Sequence, residues 1–167
     1  MSGKLKAEIK QHRPFRSQEA EAALNIHKTA DVLEARMAEV LKPSGLSPTQ
    51  YNVLRILRGA HRDNLEGVGG CRQGGTLACG EVADRMISRE PDMTRMLDRL
   101  EKRGLISRAR DEKDRRVVCT RITDAGLELV DGLDQPVDSL VRQQLGHLGP
   151  EKLQRLIDLL EEVRTDP

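Results

Sequence analysis

The sequence predicts a mainly α-helical chain with one small β-hairpin, an α+β arrangement, and three observations point to it. Aromatic side chains are nearly absent, Phe15 and Tyr51 being the only two in 167 residues. The interior therefore has to be built from Leu, Val, Ile, Met and Ala, which suits packed helices better than a sandwich or barrel. Met93, Met96, Leu97 and Leu100 recur at i, i+3, i+4 and i+7, lining one side of a helix and leaving Asp92, Arg95, Arg99 and Lys102 on the other. After a charge-dense turn, Val117, Cys119 and Arg121 alternate against Val118, Thr120 and Ile122, the period of a return strand. The length suits one domain, or one domain with appended helices, and is enough to bury a core.

Taken in order, residues 1–16 are largely polar and basic and read as a loose arm. Ser17 caps a helix running to about Lys42, with Glu19 and Glu21 near its positive end. Ala23, Ile26, Ala30, Leu33, Met37 and Val40 form a narrow seam on it, and Pro43, Ser44 and Gly45 end it. Ser47 and Pro48 start the next helix, whose stripe of Val53, Leu54, Ile56 and Leu57 runs to Gly59. From His61 to Gly75 the pattern dissolves into a glycine-rich loop expected to be flexible. Thr76 and Leu77 suggest a short strand, and about Gly80 to Met86 a brief helix with Val82, Ala83 and Met86 inward. Pro91 opens the basic helix, and Gly104 fits the left-handed position that ends it. Two short helices around a tight turn, the second with an exposed polar face, make a helix-turn-helix. Thr123 caps a long helix with Leu127, Val130, Leu133, Val137, Leu140, Val141 and Leu145 along one side and Pro136 expected to bend it. Pro150 starts a last helix carrying Leu153, Leu156, Ile157, Leu160 and Val163.

Charge is segregated although the total is only +1. Residues 85–121 hold twelve Lys and Arg against seven Asp and Glu, whereas residues 122–167 hold four against ten. Exposed guanidinium and ammonium groups on a helix and the adjacent hairpin are the footprint of a duplex-DNA reader, while the acidic C-terminal part would repel phosphate. An odd count of three cysteines with no paired framework points to a reducing compartment and a cytoplasmic protein. No apolar stretch approaches the roughly 20 residues that span a bilayer, so no membrane partner is expected.

The stretch TRMLDRLEKRGLISR, followed by DRR and ITDAG, resembles the MarR family of transcriptional regulators in residues and spacing, and the likeness extends over about Leu46 to Val163. The resemblance implies a winged-helix homodimer that binds a pseudo-palindromic operator in double-stranded DNA and usually represses nearby genes. It implies dimerisation helices at 17–45 and 123–167 around a winged helix-turn-helix lobe at 46–122, with recognition helix 91–103 and wing 106–122. Two departures stand out, the long 61–75 loop and an N-terminal arm without cysteine, the latter speaking against the family's peroxide-sensing branch.

The resemblance places the recognition helix in the major groove and the hairpin tip in the adjacent minor groove. Candidate DNA-contacting residues are Pro91, Asp92, Thr94, Arg95 and Arg99 on the helix and Arg110, Lys113, Asp114, Arg115 and Arg116 on the wing. Arg95 and Arg99 can reach guanine O6 and N7 or a phosphate, and Thr94 suits a phosphate. Asp114 and Arg116 match the family's wing D-x-R pair: an arginine in a narrow minor groove meets enhanced negative potential, and the carboxylate is expected to hold its guanidinium. His27, Tyr51 and Arg55 lie where family members often form an effector pocket for a small aromatic or carboxylate ligand that releases a repressor from DNA, although partly buried structural polar residues would look the same.

Other readings find less in the chain. Cys71 and Cys79 would serve a thiol-responsive regulator, but no CxxC or HxxxH spacing supports a metal site, no cofactor is expected, and Cys119 reads as packing. No GK[ST] follows the glycines, and GxSxG and paired-histidine motifs are absent, so an enzyme is not expected. A helical adaptor without sequence-specific DNA binding is the remaining alternative, distinguished by its indifference to salt and to duplex sequence.

Overall fold

The computed structural model describes residues 4–66, 68–88, 91–112 and 114–165. The chain runs α1 (Lys4–Glu8), α2 (Gln18–Leu41), α3 (Pro48–Arg62), β1 (Leu77–Ala78), α4 (Cys79–Asp84), α5 (Met93–Lys102), β2 (Ile106–Arg110), β3 (Val118–Ile122), α6 (Asp124–Leu145) and α7 (Gly149–Arg164). The three strands form an antiparallel sheet in the order β1-β3-β2. Mainly helical with a small hairpin wing, the fold is the expected class.

Caps set the helix starts. Ser47 accepts the Gln50 N–H at 3.2 Å while the Gln50 side chain accepts the Ser47 N–H at 3.0 Å, a reciprocal capping box with Pro48 in the first turn. Ser17 caps α2 through the Ala20 N–H. At the end of α5, Gly104 (φ 71°) lets its own N–H reach Glu101 O at 2.8 Å and the Leu105 N–H reach Leu100 O at 3.1 Å. This 6→1 and 5→2 pair of bonds is the Schellman closure, and it turns the chain straight into β2.

The core lies between the sheet and the helices of the lobe. Val53, Leu54 and Leu57 of α3, Val82 of α4, Met93, Met96, Leu97 and Leu100 of α5, Leu105, Ile106, Ile122 and Val130 make one cluster. Each fully buried Leu there is worth about 1.5–3 kcal/mol of transfer free energy. β2 pairs with β3 from Ile106↔Ile122 to Arg110↔Val118, which turns Ile106 and Ile122 to the core and projects the tip outward. Arg58 of α3 bonds Asp131 and Asp134 of α6, each at 2.8 Å, and Arg62 bonds Asp131 at 2.8 Å, tying the lobe to the long helix.

Several boundaries differ from the sequence reading. The opening residues, expected as a loose arm, include the helical turn α1 with Leu5 buried. α3 does not stop at Gly59 but continues to Arg62, since a glycine within a helix costs only about 1 kcal/mol of propensity against alanine. The stretch expected as a flexible loop holds a short turn at Val68–Gly70 and a fully buried Cys71. α6 runs through Pro136, which cannot donate the bond to the preceding turn.

The cysteine reading needs correction. Cys71 is joined to Cys119, their Cα atoms 5.7 Å apart, and Cys79 is free and half-buried. Cys71 and Cys79 therefore do not form the pair a thiol-responsive regulator was expected to use, and Cys119 is a bonding partner rather than packing alone. With two of the three joined, the cysteine count no longer speaks for a reducing compartment. The sheet order explains the pairing: β3 lies beside β1, and the loop entering β1 brings Cys71 alongside Cys119, which faces Ala78 in the register.

Candidate nucleic-acid interface

α5 buries Met93, Met96, Leu97 and Leu100 and turns Thr94, Arg95 and Arg99 outward, as its spacing requires. The helix begins at Met93 rather than Pro91. Asp92 is its N-cap, accepting the Arg95 N–H at 3.1 Å, and its carboxylate also meets the Arg95 guanidinium at 3.1 Å. Pro91 and Asp92 therefore precede the helix, and Asp92 orients the first turn and Arg95. Arg99 has no hydrogen-bond or ion-pair partner among the described residues and is exposed.

Other basic groups nearby have fixed partners. Arg108 of β2 makes a forked contact with Glu101 at 2.6 and 3.0 Å and reaches Asp98 at 2.5 Å. Hydrogen bonds from Arg108 hold the Glu101 carboxyl below its ordinary pKa, and the same bonds raise the Arg108 guanidinium. Arg103 donates to Ser44 O at 2.9 Å and Gly45 O at 2.8 Å, anchoring the end of α5 to the turn before α3.

On the wing, Arg110, Asp114, Arg115 and Arg116 are exposed, while Lys113 lies outside the described residues. Arg110 folds back to the Arg115 carbonyl at 3.2 Å. Asp114 accepts the backbone N–H of Arg116 at 3.0 Å rather than its guanidinium. A carboxylate two residues away closes more readily on the local amide than on a long side chain, which is the Asx-turn preference. The Arg115 and Arg116 guanidinium groups are left without a partner among the described residues.

Sequence reading missed four contributors. Ser47 and Thr49, in the first turn of α3, line a groove of about 340 Å³ together with Asp92, Arg95, Met96 and Arg99. The Ser47-Pro48 start of a helix was the available signal, because its positive end favours anions. Asp111 is buried and Arg72 adjoins it, and nothing in the spacing announced that contact.

The proposed pocket residues are only partly gathered. Tyr51 is buried, with Arg55 5.9 Å from its ring centroid, and burial raises the pKa of its hydroxyl. His27 is exposed on α2, and no hydrogen bond or ion pair among the described residues links it to either. No group of three or more His, Cys, Asp or Glu among the described residues could hold a metal, and no described helix is long and apolar enough to cross a membrane.

Comparison with known proteins gives this geometry its context. The MarR family model matches residues 69–118, from the loop before β1 to the start of β3. The chain is similar to a MarR transcription factor from Planctomyces limnophilus at 40% identity, covering 89% of this chain and 98% of that one, with a TM-score of 0.63. It is 26% identical to the HTH-type transcriptional regulator FarR of Neisseria gonorrhoeae over 90% of this chain and 93% of that one. A mutant MarR from E. coli complexed with operator DNA shares the fold, at a TM-score of 0.76 and 21% identity, covering 92% of this chain and 100% of that one. With a helix-turn-helix and a hairpin wing in place and a relative matched at 40% identity along nearly its entire length, the chain belongs to the MarR family and is a transcriptional regulator rather than an enzyme.

Proposed function

We propose that the protein is a homodimeric, sequence-specific binder of duplex DNA that represses transcription from its operator. α5 enters the major groove and the wing reaches the adjacent minor groove. The single observation that carries this is the sorting of the basic groups. Arg103 and Arg108 are consumed by carbonyls and carboxylates, whereas Arg99, Arg115 and Arg116 stand exposed and unpaired among the described residues. Charges left without partners on the exposed face of α5 and at the wing tip are available to phosphate and base edges. The groove beside Ser47 and Thr49 would take a backbone phosphate between Arg95 and the first turn of α3. The C-terminal helices, acidic on balance, would face away from DNA and contribute to the dimer. As a regulator acting where the DNA is, the protein would work in the cytoplasm.

Binding curves for Arg99→Ala and Arg116→Ala at several salt concentrations test this. Each variant should cost about 1–3 kcal/mol on a preferred duplex, Arg99→Ala by relaxing a major-groove base and Arg116→Ala by removing A·T preference at the wing. Affinity that is unchanged in both variants and flat with salt would instead favour the adaptor reading.

Release by a small aromatic or carboxylate effector rests on Arg55 and Tyr51. They keep a cation above an aromatic ring on the face of α3 toward Asp134 and Asp138 of α6. A ligand wedged there would change the spacing of two lobes that must meet half-sites about 34 Å apart. His27 belongs to this site only if the partner protomer supplies it. Repeating the curves with a small aromatic carboxylate present decides the matter, since undiminished affinity removes the effector role.

A further inference from the structure

The wing is tied to the glycine-rich loop before β1 by a run of contacts that ends at the minor-groove arginine. Gly70 packs against Val117, where an added Cβ would meet Val117 Cγ2 at 3.2 Å. Cys71, fully buried, is bonded to Cys119 on β3. The Arg72 N–H donates to Asp111 Oδ2 at 3.3 Å, and Asp111 Oδ1 accepts the Asp114 N–H at 3.1 Å. Asp114 Oδ1 in turn accepts the Arg116 N–H at 3.0 Å. Around the same tip, the Asp111 N–H reaches Val117 O at 3.0 Å and the Val117 N–H reaches Asp114 O at 2.9 Å.

We propose that Asp111 is a positioning residue for DNA recognition: its buried carboxylate locks the wing tip onto the Cys71–Arg72 strut and so sets the direction in which Arg116 leaves the lobe. This rests on the reading of Arg116 as the minor-groove contact. A two-stranded ribbon extending from a sheet bends easily at its root, and a guanidinium must arrive in a groove only about 6 Å wide. Asp111 is 8% exposed, and its two oxygens take N–H donors from different segments, one from the loop and one from the tip. Asparagine cannot do this, because one of its two termini is itself a donor and would face an N–H. With Cys71 fully buried and joined to Cys119 on β3, Arg72 stands at the wing root, so the loop acts as an abutment. Asp111 touches no DNA in this scheme and acts through Arg116.

A double-mutant cycle separates this role from a general effect on folding. Asp111→Asn, Arg116→Ala and the combination are compared for affinity to an A·T-containing preferred duplex, with thermal melts confirming that each variant is folded. Asp111→Asn should weaken binding about tenfold and flatten the A·T preference at the wing, and the double variant should bind no more weakly than Arg116→Ala alone. Losses that simply multiply, or an Asp111→Asn protein that binds like the parent, overturn the positioning role while leaving Arg116 in place. An Arg116→Ala protein with undiminished affinity overturns the minor-groove reading and the proposal with it. Cys71→Ser, which frees the strut one residue from the contact, is the second variant. It should show the same absorption by Arg116→Ala, and multiplying losses there also overturn the proposal.

Discussion

Gly126 shows how one residue joins the start of β2 to the long helix. A Cβ at that position would stand 2.2 Å from the Leu105 carbonyl oxygen and 2.8 Å from Ile122 Cγ1, so only glycine lets the first turn of α6 lie against the start of β2. Thr123 completes the joint: its hydroxyl donates to Gly104 O at 2.7 Å and accepts the Gly126 N–H at 3.1 Å, while its own N–H reaches Leu105 O at 3.1 Å. Gly126→Ala should therefore destabilise the protein by about 1–3 kcal/mol despite its better helix propensity. Chemical denaturation measures this, and a stability equal to or above the parent's would show that the joint is not tight. The ITDAG motif was readable as a cap, but the reason for its glycine was not, because the close approach comes from a residue 21 positions earlier. Asp92 is a similar case. A carboxylate on the polar side of a helix pattern looks like a surface contact, and only the backbone shows it capping the turn.

Among the elements, α5 and β2 are held together by charge as well as by the core. The Arg108 fork to Glu101 and Asp98 crosses from strand to helix, and Arg99 on the exposed face of α5 has no ion pair among the described residues. Since these bonds lower the Glu101 pKa in the folded state, the stability they give is present above the ordinary carboxylate pKa of about 4.3 and is lost as pH falls through the lower folded value. Asp131, lowered by its bond from Arg58, loses its share in the same direction. Thermal melts should thus drop on acidification below about pH 4.3, with a shallower drop in Glu101→Gln. An identical acid profile in that variant would show the cluster to be inert. Helices and hairpin were legible because burial imposes periods of 3.6 and 2 on nearby residues. The Cys71–Cys119 bond, the Arg58 cluster and the Asp111 strut were not, because each joins residues 39 to 76 positions apart and leaves no local pattern.

At the scale of the molecule, the two ends of the chain remain unfinished. Leu24, Ile26 and Val32 on α2, Val141 on α6, and Leu156, Ile157, Leu159 and Val163 on α7 are exposed apolar side chains, and none of α7 is buried. A 16-residue helix with an uncovered apolar side gains little from its own hydrogen bonds in water, so a second copy covering these faces is the arrangement the account requires. That copy would set two recognition helices and two wings on one face of a duplex. Of the narrow seam read on α2, Ile26 is exposed and Met37 packs against the core, whereas His27, placed with Tyr51 and Arg55 by likeness alone, is not joined to them among the described residues. Selection of bound fragments from a random duplex library with the purified protein tests the central claim most directly. The account predicts a two-fold symmetric motif with half-sites about one helical turn, or 34 Å, apart and A·T preference where the wings lie. Enrichment of a single asymmetric half-site, or of no sequence at all at low salt, would contradict it.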